Sequence, residues 1–459
     1  MHGATTIIGV LLLAALARAE TAWAQTAEQA RPNIVLIVSD DQAWTDYGFM
    51  GHPIVQTPRL DRLADHSAVF RRGYVATALC RPSLATLITG VYAHQHKISG
   101  NDPSPALAPP DSTRYAELRE QMISHIDRYP TVPKLLAERG YLSFQSGKWW
   151  EGSYQRGGFT HGMTRGFPKP GGRHGDDGLT IGREGMEPVF EFIDHTVAEK
   201  RPFFVWYAPF LPHTPHNPPE RLLAKYRDKV DSLFVAKYYA MCEWFDETSG
   251  QLIDYLDEKG LTENTLFLYV ADNGWIQRDD AGGYALRSKQ SPNEGGVRTP
   301  IMLSWKGVID PQEHDTLVSS VDLAPTILSA AGAAIPKNLP GIDLLPVVRD
   351  GKKLDRDTIF GEGFAHDVAD LDNPEASLLY RWAIEGRWKL ILTYDGALGR
   401  YASSHPRTER RPQLYDLTAD PHETDNVAAR HPEVAERLAK KIARWWPVTE
   451  RQVQTAWPH

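Results

Sequence analysis

The chain has 459 residues, enough for one large domain and a smaller one. Apolar residues make up 42% and charged residues 24%, the make-up of an ordinary soluble globular protein. The net charge of -8 argues against a nucleic-acid surface, though a local cationic pocket remains compatible with it.

Residues 1–24 read as an export signal. Ile7 to Leu16 is an apolar run too short to span a bilayer as a helix, and Ala22-Trp23-Ala24 offers a small-x-small cleavage site. The n-region carries His2 but no Lys or Arg. After cleavage of this signal the expected destination is periplasmic or secreted, with a retained N-terminal anchor as the alternative, and no other stretch is long enough for a transmembrane helix. The two cysteines, Cys80 and Cys242, are expected to be unpaired and to have different jobs.

Asn33 to Ser39 is a continuous apolar run of strand length, which fits a parallel strand buried on both faces. It runs into Asp40-Asp41. Two carboxylates at a strand tip repel each other unless a cation holds them; a solvated turn is the alternative for this pair alone. Thr57 is the expected N-cap of an amphipathic helix from Pro58. Cys80-Arg81-Pro82-Ser83 opens a second helix, which Gly90 closes, with Leu84, Leu87 and Ile88 on one buried face. Cys80 thus falls at a helix N-terminus, where an anion is favoured; a small buried hydrophobe is the alternative use.

His94 and His96 lie in the next loop and read as structural or pocket-lining. Residues 101–112 read as a surface loop rich in Pro, Asp and Ser. A helix ending at Gly140 leads to a short strand, Tyr141 to Ser146, whose tip carries Gly147-Lys148-Trp149-Trp150. Gly157 to Gly178 reads as an excursion over the active face. Another buried strand, Pro202 to Ala208, ends in a proline-stiffened loop that aims His213. Cys242 lies on a helix, and the strand Thr265 to Ala271 ends in Asp272-Asn273-Gly274. Side-by-side parallel strands would bring three carboxylates and an amide oxygen together, an all-oxygen set suited to Ca²⁺ or Mg²⁺ rather than zinc. Lys289 and Glu294-Gly295-Gly296-Val297-Arg298 follow.

Taken together, these motifs resemble the formylglycine-dependent sulfatases of the alkaline phosphatase superfamily. The likeness runs from about Pro32 to about Val427. It includes the Cys80-Arg81-Pro82-Ser83 signature, Gly147-Lys148-Trp149, Pro212-His213-Thr214-Pro215, Asp272-Asn273-Gly274, Val321 to Thr326, and Leu414-Tyr415-Asp416-Leu417 with Asp420, Pro421, Glu423 and Asn426. The resemblance implies that Cys80 is oxidised to formylglycine by a formylglycine-generating enzyme. One hydroxyl of its hydrate would attack sulfur, and the other would then expel sulfate. It further implies that Asp40, Asp41, Asp272, Asn273 and modified Cys80 bind Ca²⁺, with Mg²⁺ the lesser choice. Lys148 and Lys289 would hold sulfate oxygens, and His213 would assist the leaving group. The chain departs from the family pattern at Leu84, where the signature has arginine, and at Trp150, where histidine is common. His94, His96 and His161 are the stand-ins considered for that histidine.

The expected architecture is a large α/β domain, residues 31–350, with a mainly parallel sheet flanked by helices. A smaller C-terminal α+β domain, residues 355–459, would carry an antiparallel sheet and a helix near 434–446. The expected function is hydrolysis of a small-molecule or carbohydrate sulfate ester. The alternatives are a phosphoesterase or phosphonate hydrolase on the same fold, and a non-catalytic binder of sulfated glycans with Cys80 unmodified. Specificity is expected in the loops around 101–128 and 153–185.

Overall fold

The computed structural model describes residues 31–167, 172–396, 401, 409–449 and 451. The expected export signal lies outside the described residues. The apolar runs form the middle of a nine-stranded sheet. Asn33–Ser39 pairs in parallel with Phe203–Ala208 on one side and with Thr265–Ala271 on the other. Leu142–Gly147 extends the parallel set beyond Phe203–Ala208. Arg298–Trp305 runs antiparallel between Thr265–Ala271 and Ala68–Tyr74. Residues alternate between two cores: Ile34, Leu36 and Val38 join one face, Val35 and Ile37 the other. Burial on both faces is why these segments read as unbroken apolar runs.

Because the central strands are parallel, their carboxyl ends share one edge of the sheet. Ser39 and Ala271 are register partners, so Asp40 and Asp272 leave the sheet side by side. Gly147 adopts φ 78°, and a Cβ there would lie 1.7 Å from the carbonyl oxygen of Ala208. Only glycine lets the chain turn Lys148 inward at this point.

A second sheet is antiparallel: Thr358–Phe364, Leu378–Glu385, Trp388–Thr393 and Gln413–Asp416. Helix Pro432–Trp445 covers it through Val434, Leu438 and Ile442, against Leu390, Leu392 and Leu414. Lys389 of this sheet is fully buried between Glu294 (2.9 Å) and Glu423 (3.0 Å). That triad locks the second sheet to the loop that carries Lys289.

Three local expectations change. Thr57 makes no capping bond to helix Pro58–Ala64. The buried carboxylate of Asp246 caps it instead, accepting from the N–H groups of Arg59 and Leu60. The Cys80–Thr89 helix is buried on every side rather than on one face. Ala93–His96, Val132–Ala137 and Leu323–Ala330 pack around it. Residues 101–112 are only partly a surface loop, since Asp102–Pro103 is buried and pairs in parallel with Asp367–Val368.

Candidate active site

Cys80 and Cys242 are both free thiols. Cys80 opens its helix at the carboxyl edge of the sheet, only 1% exposed, with Sγ 4.0 Å from Asp40 Oδ1 and 3.9 Å from Asp41 Oδ1. Lys289 Nζ lies 3.1 Å from that sulfur and donates to both oxygens of Asp41, at 2.6 and 2.7 Å. Lys148 Nζ donates to Asp40 Oδ1 at 2.7 Å and stands 4.0 Å from Asp272 Oδ2. Asn273 Nδ2 donates to Asp41 Oδ1 at 2.7 Å, and the Asp41 N–H donates to Asp272 Oδ1 at 3.1 Å. His213 Nε2 is 3.4 Å from Asp41 Oδ2. The eight site residues singled out in the sequence therefore meet at one place, from six separate segments of chain.

Asp41 occupies the left-handed region, φ 68°, as does Gln290 beside Lys289, φ 63°. Such backbone is uncommon for residues other than glycine and concentrates at functional sites. Here it turns two consecutive carboxylates toward the same spot.

The charges are out of balance. Three buried carboxylates face two ammonium groups. Burial, with the neighbouring carboxylates, pushes the Asp40 and Asp272 carboxyls above their usual range against the pull of Lys148. Burial also acts on Asp41, but Lys289 and then His213 hold its carboxyl below that range. Burial pushes the Cys80 thiol up to about 12. Asp40 Oδ2, Asp272 Oδ2 and Asn273 Oδ1 are buried without a hydrogen-bond partner. Leaving such oxygens unpaired is costly, and a hard cation is the partner they fit. Asp40, Asp41, Cys80 and His213 also present ligand atoms within 4.8 Å of one another.

The matching family model, described as Sulfatase, spans residues 32–333, and a second, N-sulphoglucosamine sulphohydrolase, C-terminal, spans 282–446. The chain belongs to the sulfatase family. It is 30% identical to human arylsulfatase A over 464 residues, covering 89% of this chain and 86% of that protein. It is 28% identical to dog N-acetylgalactosamine-6-sulfatase, covering 85% and 81%. Among solved structures, a protein in complex with its substrate D-glucosamine-2-N,6-O-disulfate superposes with TM-score 0.68 at 18% identity, covering 90% of this chain and 97% of that one. The sulfatase thus has the alkaline-phosphatase-like fold, a large mostly parallel sheet between helices plus an antiparallel sheet. Its activity is sulfate ester hydrolysis.

The histidines considered as stand-ins at Trp150 are engaged elsewhere in this sulfatase. His94 pairs with Glu362 at 2.6 Å, His96 faces Thr86 Oγ1 at 3.2 Å, and His161 packs on Phe192 and His195. The imidazole that does border the site is His174, missed in a glycine-rich stretch without periodicity. It packs 5.1 Å from the Trp150 ring and 5.5 Å from Phe210, which stacks on His213 at 4.4 Å. Also missed was the partner of Arg81. Its guanidinium is fully buried and makes two 2.7 Å bonds to Glu151. Only the Gly-Lys-Trp-Trp-Glu order of that loop hinted at it. Trp149, Trp150 and Trp275 are buried, in keeping with core packing.

Proposed function

We propose that this sulfatase acts on a sulfated carbohydrate, through a formylglycine made from Cys80 and one Ca²⁺ ion held by Asp40, Asp41, Asp272 and Asn273 beside it. The observation that carries the reading is the three unpartnered buried oxygens of Asp40, Asp272 and Asn273 next to Cys80. The chemistry supplied by a bound divalent cation is charge neutralisation at the sulfuryl group and a lowered pKa for the attacking oxygen.

The chain's own groups then have distinct tasks. Lys148 and Lys289 stay charged, because burial that would discharge them is outweighed by Asp40 and Asp272 at Lys148 and by Asp41 at Lys289. They orient the sulfate oxygens and stabilise charge that grows there in the transition state. His213 Nδ1 lies 2.6 Å from the carbonyl oxygen of Thr214, which fixes the proton on that nitrogen. Nε2 is then the atom that meets the leaving oxygen, while burial, against the pull of Asp41, lowers the imidazole well below its usual range. Burial of the lysines and carboxylates excludes water that would weaken these contacts.

Substrate class rests on the relatives whose printed names or titles carry a sulfated sugar. The apolar N-terminal run supports export after cleavage near residue 24, and the separate antiparallel sheet supports a division into catalytic and smaller domains near 350. No helix among the described residues is long and apolar enough to cross a membrane.

The test is sulfate release from 4-nitrophenyl sulfate and a panel of sulfated sugars, with and without a chelator, alongside peptide mass spectrometry of Cys80. Release that needs added calcium and an aldehyde at Cys80 supports the reading. Full turnover after chelation removes the cation from it, and full turnover with an intact thiol removes formylglycine.

A further inference from the structure

Beside the sulfate site lies a cavity of about 310 Å³, lined by Asp102, Tyr115, Arg119, Phe167 and Arg173 among others. That is the small end of the ligand-pocket range. Its residues fall in the two loops where the sequence places specificity. Arg119 forms the floor, 3% exposed, with Nη1 donating to Asp102 Oδ1 at 2.6 Å and Nη2 to the carbonyl oxygen of Arg173 at 3.0 Å. Its Nε is buried and has no partner. Arg173 forms the rim, its side chain 43% exposed, with Nε donating to Asp102 Oδ1 at 3.1 Å and Nη2 bonded to Oδ2. The other carboxylate in reach, Asp367, is turned to His366 Nδ1 at 2.8 Å.

A chain of contacts links the cavity to the sulfate site: the Arg81 N–H, next to Cys80, donates to Asn101 Oδ1 at 3.1 Å, next to Asp102. Lys148 Nζ lies 5.6 Å from the Phe210 ring, and His174 packs between Phe210 and Trp150. The Arg173 guanidinium lies 4.7 Å from the centre of the Trp150 ring. Burial, then Lys148 and then Arg173, lower the His174 imidazole to about 3, so both cations act on one ring. A guanidinium already fixed by a carboxylate beneath it loses little freedom on taking up a planar or tetrahedral oxyanion.

We propose that Arg119 and Arg173 form a second anion subsite, which takes a carboxylate or sulfate carried by the same glycan as the scissile sulfate ester. This deepens the reading of the site as one for sulfated carbohydrate and rests on it. The enzyme then selects glycans with at least two oxyanions.

Calorimetric titration of the wild-type protein and of Arg173→Ala tests this with four probes: 4-nitrophenyl sulfate, a heparin-derived tetrasaccharide, a chondroitin 6-sulfate tetrasaccharide and the carboxyl-reduced form of the last. The expected result is tighter binding of a tetrasaccharide than of the aryl ester by the wild type. That preference falls at least tenfold in Arg173→Ala. A loss that persists with the carboxyl-reduced chondroitin tetrasaccharide identifies the second oxyanion as a sulfate, and one that disappears with it identifies a uronate carboxylate. An unchanged ratio, or a wild type that does not prefer either unreduced tetrasaccharide, overturns the proposal. Because Arg173 is exposed, its removal leaves the buried Arg119–Asp102 pair in place; Arg119→Lys supplies a second variant that keeps the charge but not the fork. Failure to release sulfate would strike the hydrolytic reading while leaving the binding ratio readable.

Discussion

Glu151→Gln removes a charge from one of the most deeply buried ion pairs of the molecule. Arg81 and Glu151 have side-chain exposures of 0% and 3%, and two 2.7 Å bonds join them in the fork geometry. Once the carboxylate is gone, the guanidinium keeps the carbonyl oxygen of Asn101, at 3.2 Å, as its oxygen partner among the described residues, plus whatever the new amide supplies. At an effective dielectric of 20 the Coulomb attraction is about 4 kcal/mol, and breaking one side of a buried pair costs about 3–5 kcal/mol. A Gln oxygen recovers part of that, so we expect a loss of about 3 kcal/mol. The assay is equilibrium urea unfolding followed by tryptophan fluorescence and far-UV circular dichroism, in a cycle with Arg81→Met and the double variant. The double variant should recover to within about 1 kcal/mol of wild type, since an apolar replacement removes the stranded charge. Arg81 directly follows Cys80, so Glu151→Gln should also lower sulfate release. Glu151→Gln within about 0.5 kcal/mol of wild type, or a double variant showing the sum of both losses, would refute the reasoning.

Two further perturbations follow from buried charge. Lys389→Met strands the carboxylates of Glu294 and Glu423, 2% and 1% exposed, and should cost about 3–5 kcal/mol in the same unfolding assay; a cost below about 1 kcal/mol contradicts the account of the triad. His96 is lowered to about 3, chiefly by burial. Because its folded pKa is depressed, the unfolded chain binds the extra proton, and stability drains away as pH falls from about 6.5 toward 3, by up to about 1.4 kcal/mol per unit. His96→Asn should flatten the dependence of Tm on pH across that window, and superimposable curves would remove His96 as a contributor.

The strands at 33–39, 203–208 and 265–271 are legible because burial on both faces writes an unbroken apolar run into each. Their acidic tips are legible because parallel strands put like ends together. Helix Cys80–Thr89 announced its ends through Pro82 and Gly90, yet its all-round burial did not show, since the covering helices Val132–Ala137 and Leu323–Ala330 lie far along the chain. The same distance hid Asp246 as the cap of Pro58–Ala64, Glu151 as the partner of Arg81, and Lys389 between Glu294 and Glu423. Ion pairs between segments 70 or 95 residues apart leave no periodicity to read. His174 was invisible for a related reason. It owes its place to the wall formed by Trp150 and Phe210, not to any motif of its own.

Calcium titration of metal-depleted wild-type protein and of Asp272→Ala bears most directly on the cation site. The account predicts one saturable calcium site in the wild type, with affinity lost by at least tenfold in the variant. Equal affinity in both proteins, or no calcium uptake by the wild type, would contradict it.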